Sequence, residues 1–116
     1  SFDIDADEEA DALTDGLLVI RHLFGFSGDA LVDNATSNMA VRQDATDITS
    51  YLNDAESELD IDGDGESGAL TDGLLLIRYQ FGFSGDALIS GAIGEDAERT
   101  TAEQIEAYIS ERIPVI

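Results

Sequence analysis

The chain is written twice. Shifted by 57 positions, residues 3–31 fall on 60–88 with 22 of 29 identical. The match continues more weakly: Ala35, Ala40, Arg42, Ala45, Ile48 and Tyr51 meet Ala92, Ala97, Arg99, Ala102, Ile105 and Tyr108. Such a repeat constrains the fold more than local propensity does, because each unit can bury its apolar face against its twin. We read residues 1–116 as one module of two units, 3–59 and 60–116. Approximate two-fold symmetry around a shared core is expected.

Each unit opens on an acidic loop. In the second, Asp60, Asp62 and Asp64 alternate, Gly65 follows, and Asp72 heads the apolar run Leu74-Leu75-Leu76-Ile77. Alternate residues in a tight turn can aim carboxylates at one centre, and calcium takes about six to eight oxygens in flexible geometry. The expected ligands are Asp60, Asp62, Asp64, the main-chain carbonyl of Glu66, and Asp72, with water opposite Gly68. The standard loop closes with an acid at its twelfth position. Here that position is Thr71, so Asp72 closes the loop one residue late, with the Thr71 hydroxyl as the competing candidate. Loop one offers Asp3, Asp5, Asp7, the Glu9 carbonyl, Asp11 and Asp15, with Thr14 competing in the same way. Glu8 replaces the glycine there, and a left-handed backbone costs a non-glycine residue roughly 1–2 kcal/mol. Two calcium ions are expected. Magnesium suits such loops less, because it prefers near-ideal octahedra with waters retained.

The charge balance agrees. Twenty-six acidic residues face five arginines and no lysine, for a net charge of -21. A compact chain so charged repels itself, and two divalent ions would bring -21 to -17. Since 43% of residues are hydrophobic and cluster periodically, we expect a folded domain and not a disordered acidic tail. The acidity argues against nucleic acid or an anionic membrane as partner. Without cysteine there is no disulfide frame or thiolate metal site. No run reaches the roughly 18–20 apolar residues of a membrane span. His22 is the single histidine, and its repeat mate is Tyr79. Ser27 and Ser84 have no base nearby in sequence, and no carboxylate pair stands out, so no enzyme is expected.

The remaining pattern is helical. Helices are predicted over Thr14–Phe24 and Thr71–Phe81, capped by Thr14 and Asp15 or their mates. Leu17, Ile20, Leu23 and Phe24 form the apolar face, widened by Leu18. Gly25 and Gly82 stop these helices, and Phe26 and Phe83 fold back as the apolar residues of a glycine cap. The four phenylalanines 24, 26, 81 and 83 are read as core and cap, with exposure toward a partner as the alternative. Residues 27–31 and 84–88 read as a turn into a short helical piece capped by Ser or Asp, and 33–43 and 90–100 as loops. Second helices run from Asp44 to Ala55 and from Thr101 to Arg112. Thr101 and Gln104 have capping-box spacing, and Pro114 ends the last helix. The C-terminal helix is expected to stand before loop one in space. The fold class is thus all-α, with EF-hand-like tandem loop–helix repeats and an additional helix per repeat.

The loops, the repeat and the Leu-Leu-x-Ile-Arg helix resemble a dockerin, over residues 3–24 and 60–81. The resemblance implies two calcium loops, each followed by a helix. It also implies a secreted or cell-surface setting and a cohesin-like protein partner. Carried over, the partner contacts are Ala12 and Leu13, Ala69 and Leu70, with Arg21 and Arg78 on the helices. The chain departs from the family in the late closing aspartate and in Ala10 and Ser67 at the usually apolar eighth position. It departs again in the 57-residue spacing and in the segment Phe-Gly-Phe-Ser-Gly-Asp-Ala-Leu. A calcium-rigidified spacer or terminal module of a larger extracellular protein is the alternative function. A sensor is third, since sensors expose a Met-rich groove and this chain has only Met39.

Overall fold

The computed structural model describes residues 2–9, 11–37 and 39–113. Within them every regular element is helical. Unit one carries α1 (Leu17–Leu23), α2 (Asp29–Val32) and α3 (Ala45–Asp54), and unit two carries α4 (Leu74–Gln80), α5 (Gly85–Ile89) and α6 (Ala102–Ser110). Each first helix is entered through a wide π-helical turn, Ala12–Gly16 and Ala69–Gly73.

That turn changes the predicted helix start. Gly16 N–H donates to the Asp11 carbonyl at 3.0 Å, and Gly73 N–H to the Gly68 carbonyl at 3.1 Å. An i→i+5 bond accommodates one more residue per turn than an α-helix does. Asp11 and Gly68 therefore hold the cap positions expected of Thr14 and Asp15. Asp15 and Asp72 sit inside the first turn, fully buried. The C-termini follow the predicted pattern. Gly25, at φ 92°, donates to the His22 carbonyl and Phe26 to the Arg21 carbonyl, both at 2.9 Å, which is the Schellman pair of bonds. Gly82 and Phe83 repeat it. The cap phenylalanines are not core, however. Phe24, Phe26, Phe81 and Phe83 are all about half exposed.

The apolar face of the first helix is rotated from the predicted one. Leu18 and Val19, with Leu75 and Leu76, are fully buried, whereas Leu17, Leu23 and Leu74 only flank the core. The reason is that both sides of these helices pack. One side meets the loops and second helices. The other meets the twin helix, where glycine permits a close crossing. A Cβ on Gly73 would meet Ile20 at 3.1 Å, and one on Gly16 would meet Ile77 at 3.2 Å.

The second helices run as predicted, within a residue or two. Ile48, Leu52, Ile105 and Ile109 are buried, with Tyr51 and Tyr108 packed at the edge. Thr101 and Gln104 form the full capping box, whereas Asp44 at the equivalent place makes no side-chain cap bond. The short helices α2 and α5 exist, but neither has a Ser or Asp side-chain cap. Phe2 N–H donates to the Arg112 carbonyl at 2.8 Å, so the end of α6 abuts the start of loop one, as α3 leads into loop two. Pro114 lies outside the described residues.

One buried polar group stands out. Gln80 takes the place that Leu23 has in unit one, and neither of its amide atoms has a hydrogen-bond partner among the described residues. Burying an unpaired amide costs about 1–3 kcal/mol. Gln80→Leu is expected to stabilise the protein by about 1–2 kcal/mol. The check is a higher urea midpoint at unchanged slope; an unchanged midpoint would mean that the amide is satisfied in solution.

Candidate metal centres

The π-turns deliver Asp15 and Asp72 to the loops. Carboxylate oxygens of Asp3, Asp5, Asp7 and Asp15 lie within 4.8 Å of one another, and so do those of Asp60, Asp62, Asp64 and Asp72. The extra residue of the wide turn thus brings Asp15 and Asp72, one place past the twelfth position, in among the loop aspartates. Thr14 and Thr71 instead donate their hydroxyls to Asp15 and Asp72 at 3.3 Å.

Main-chain N–H groups hold each loop in shape. Asp60 accepts from Gly63 and Asp64 at 3.1 Å and from Gly65 at 3.0 Å. Asp3 accepts from Asp7 at 3.1 Å and Glu8 at 2.8 Å. Asp15 accepts from Ile4 at 2.6 Å and Asp11 at 2.9 Å, and Asp72 from Asp62 at 3.2 Å and Gly68 at 2.9 Å. A carboxylate has about four acceptor sites, so these bonds leave room for a further ligand.

The second aspartate of each set is bound from far away in sequence. Ser37 N–H donates to Asp5 Oδ2 at 2.8 Å, and Gly94 N–H to Asp62 Oδ2 at 2.7 Å. Ser37 and Gly94 thus bring arms from the predicted loops onto the acidic loops. Arg42 N–H reaches the Asp5 carbonyl and Arg99 N–H the Asp62 carbonyl, both at 2.9 Å. Asp5 keeps its other oxygen, Oδ1, buried and without a hydrogen-bond partner among the described residues.

Electrostatically the centres are short of positive charge. Burial is the largest cause that pushes Asp15 and Asp72 up to about 7, with the neighbouring carboxylates Asp5 and Asp62 adding to it. Burial likewise raises Asp3, Asp5 and Asp62. Hard oxygen donors so arranged can hold a metal ion in each unit, and a bound ion would reverse the direction of these shifts.

Other expected site residues fall differently. Asp11 is not in the four-carboxylate group. Its carboxylate instead joins Asp7 and Glu9 in an outer, more exposed group, because its N–H is tied to Asp15. Glu9 and Glu66 keep their side chains exposed, as suits residues expected to contribute carbonyls. Of the expected contact residues, Leu13 and Leu70 are 63% and 64% exposed, whereas Ala12 and Ala69 are buried in the π-turns. Arg21 donates to the Leu31 and Asp33 carbonyls, and Arg78 to those of Leu88 and Ser90. Each arginine thereby satisfies the C-terminal end of a short helix.

Loop one carries more backbone strain than loop two. Glu8 has φ 71°, as the missing glycine implied, and Ala6 has φ 60°, where unit two has Gly65 and Gly63. Glu8→Gly is expected to stabilise the protein by about 1 kcal/mol. Thermal melting checks this; a lower midpoint would mean that glycine's unfolded-state freedom outweighs the relieved strain.

No family model matches the chain, and neither do curated proteins or solved structures. No helix among the described residues is long and apolar enough to cross a membrane. The fold and centres define an acidic, all-helical tandem whose two aspartate groups could each bind a metal ion.

Proposed function

We propose that the protein is a calcium-stabilised, non-catalytic interaction module of the dockerin type, built of EF-hand-like loop–helix units. On this reading it attaches an extracellular protein to a protein partner, of the cohesin-like kind. The observation that carries the calcium half is the pair of four-aspartate groups together with the orphaned Asp5 Oδ1. A buried carboxylate oxygen without a donor is costly, and a hard cation is the partner its chemistry calls for. Oxygens on opposite sides of calcium are about 4.6–5.2 Å apart at ordinary bond lengths, which suits the observed grouping. Asp3, Asp5, Asp7 and Asp15 would hold one ion, and Asp60, Asp62, Asp64 and Asp72 the other.

Exposed apolar side chains support the attachment half. Leu13 and Phe81 line one shallow concavity, and their repeat mates Leu70 and Phe24 are equally exposed. Large apolar residues on so acidic a surface are what a partner site requires. One observation favours the spacer function instead: Arg21 and Arg78 are spent on the protein's own carbonyls.

Calcium titration tests the first half. Wild type should bind two ions, and Asp60→Ala with Asp62→Ala one. Retained two-ion stoichiometry would overturn the loop assignment. A calcium-dependent pull-down from secreted proteins, repeated with Leu13→Glu and Leu70→Glu, tests the second. Recovery of no calcium-dependent partner would favour the spacer, and recovery undiminished by these substitutions would place the contact away from Leu13 and Leu70.

A further inference from the structure

The two arginines matched at 42 and 99 have no role in the chemistry above, yet both are built into the centres in the same way. Arg42 donates from Nε to the Ile4 carbonyl at 2.9 Å and from Nη2 to the Asp3 carbonyl at 3.1 Å. Arg99 donates likewise to Ile61 and, at 2.8 Å, to Asp60. Both guanidinium groups stack on a tyrosine of the second helix, Arg42 on Tyr51 at 4.0 Å and Arg99 on Tyr108 at 4.1 Å.

We infer that Arg42 and Arg99 are positioning residues that shape each loop for its cation and couple the cation to the second helix of its unit. The inference rests on the calcium reading above. The side-chain fork takes the carbonyls of the first and second loop residues, and the arginine's own N–H takes that of the third. With three successive carbonyls engaged outside, the alternating aspartates keep their side chains turned inward. The same arm brings Ser37 or Gly94 to one oxygen of the third-position aspartate. In unit one that leaves Asp5 Oδ1 as the free oxygen. The arginine thus acts through main chain and carboxylates without touching the ion.

A simple charge effect predicts something different. A guanidinium near a cation site repels the cation. If charge were its main effect, Arg99→Lys would leave affinity unchanged and Arg99→Ala would tighten binding. Lysine keeps the charge but not the planar fork or the stacking. On the positioning inference both substitutions weaken binding, by about tenfold or more, the usual loss when a partner behind a metal ligand is removed.

The experiment uses two single-site backgrounds of the full chain. One disables loop one with Asp3→Asn and Asp5→Asn, and the other disables loop two with Asp60→Asn and Asp62→Asn. Calcium affinity is read by calorimetry. Arg99→Lys should weaken the background that keeps loop two and spare the other; Arg42→Lys should do the reverse. Tyr108→Leu, which removes the stacking ring, should lower the affinity of loop two. Equal loss in both backgrounds would show only a global loss of stability and would overturn the inference. Unchanged affinity in Arg99→Lys and Arg42→Lys would overturn it too, with the calcium reading intact. Wild type that binds no calcium would overturn the calcium reading, and the inference with it.

Discussion

Chelation is expected to lower the melting temperature by on the order of 20 °C. A site held at 100 times its dissociation constant adds about 2.7 kcal/mol. Two such sites supply about 5 kcal/mol, in a domain whose whole stability falls in the range of about 5–15 kcal/mol. For a chain near 100 residues each kcal/mol moves the midpoint by roughly 4–8 °C. The direction follows from the centres themselves. Without an ion, each leaves four carboxylates within 4.8 Å of one another, in a chain of net charge -21. Far-UV circular dichroism melts in calcium, in magnesium and in EDTA measure the effect. The calcium midpoint should be highest. Coincident midpoints in calcium and EDTA would mean that the aspartate groups hold no structural ion.

Much of this architecture is legible in sequence because it is local. Helix periodicity, the Gly25-Phe26 stop and the Thr101–Gln104 capping box each depend on residues within one turn. The alternating aspartates are local too, and the 57-residue repeat turns one weak signal into two concordant ones. The phase of α1 was less legible. Leu17, Leu18, Val19 and Ile20 are all apolar, so periodicity alone does not reveal which side faces the twin helix. The π-turn follows from a requirement imposed at a distance. Asp15 must reach Ile4 N–H, eleven residues back, and the wide turn places it there.

The arms are the part the sequence hid. Ser37 and Asp5 are 32 residues apart, and Arg42 and Ile4 are 38 apart. Gly94 replaces Ser37 in the second unit without loss of the bond, since the donor is a main-chain N–H. No side-chain pattern announces such a contact. The matched arginines and tyrosines were the only trace. Four of the five arginines recur at the repeat spacing, and all four donate to main-chain carbonyls. Among the described residues Arg112 lies 3.6 Å from the exposed Glu111 carboxylate, a weak surface pair, whereas the four repeated arginines are spent elsewhere. They satisfy carbonyls at helix ends and behind the loops.

The pH dependence of stability should have opposite sign with and without calcium. In the metal-free protein, burial holds Asp15 and Asp72 at about 7, against about 3.9 in an unfolded chain. Between those values the folded state binds more protons than the unfolded state, so stability rises as pH falls. This contribution is fully present below about pH 4 and is lost as pH rises through 7. Relief of self-repulsion on protonating other carboxylates acts in the same direction. Calcium requires the carboxylates ionised, so protons compete with it. The calcium-bound protein should therefore lose stability as pH falls over the range in which the metal-free protein gains it. Melting midpoints in calcium and in EDTA should lie farthest apart near pH 8 and converge toward pH 5. A gap of constant width across that range would place the ions elsewhere than on Asp15 and Asp72. A metal-free midpoint that falls on acidification would mean that these two carboxylates are ionised in the folded chain.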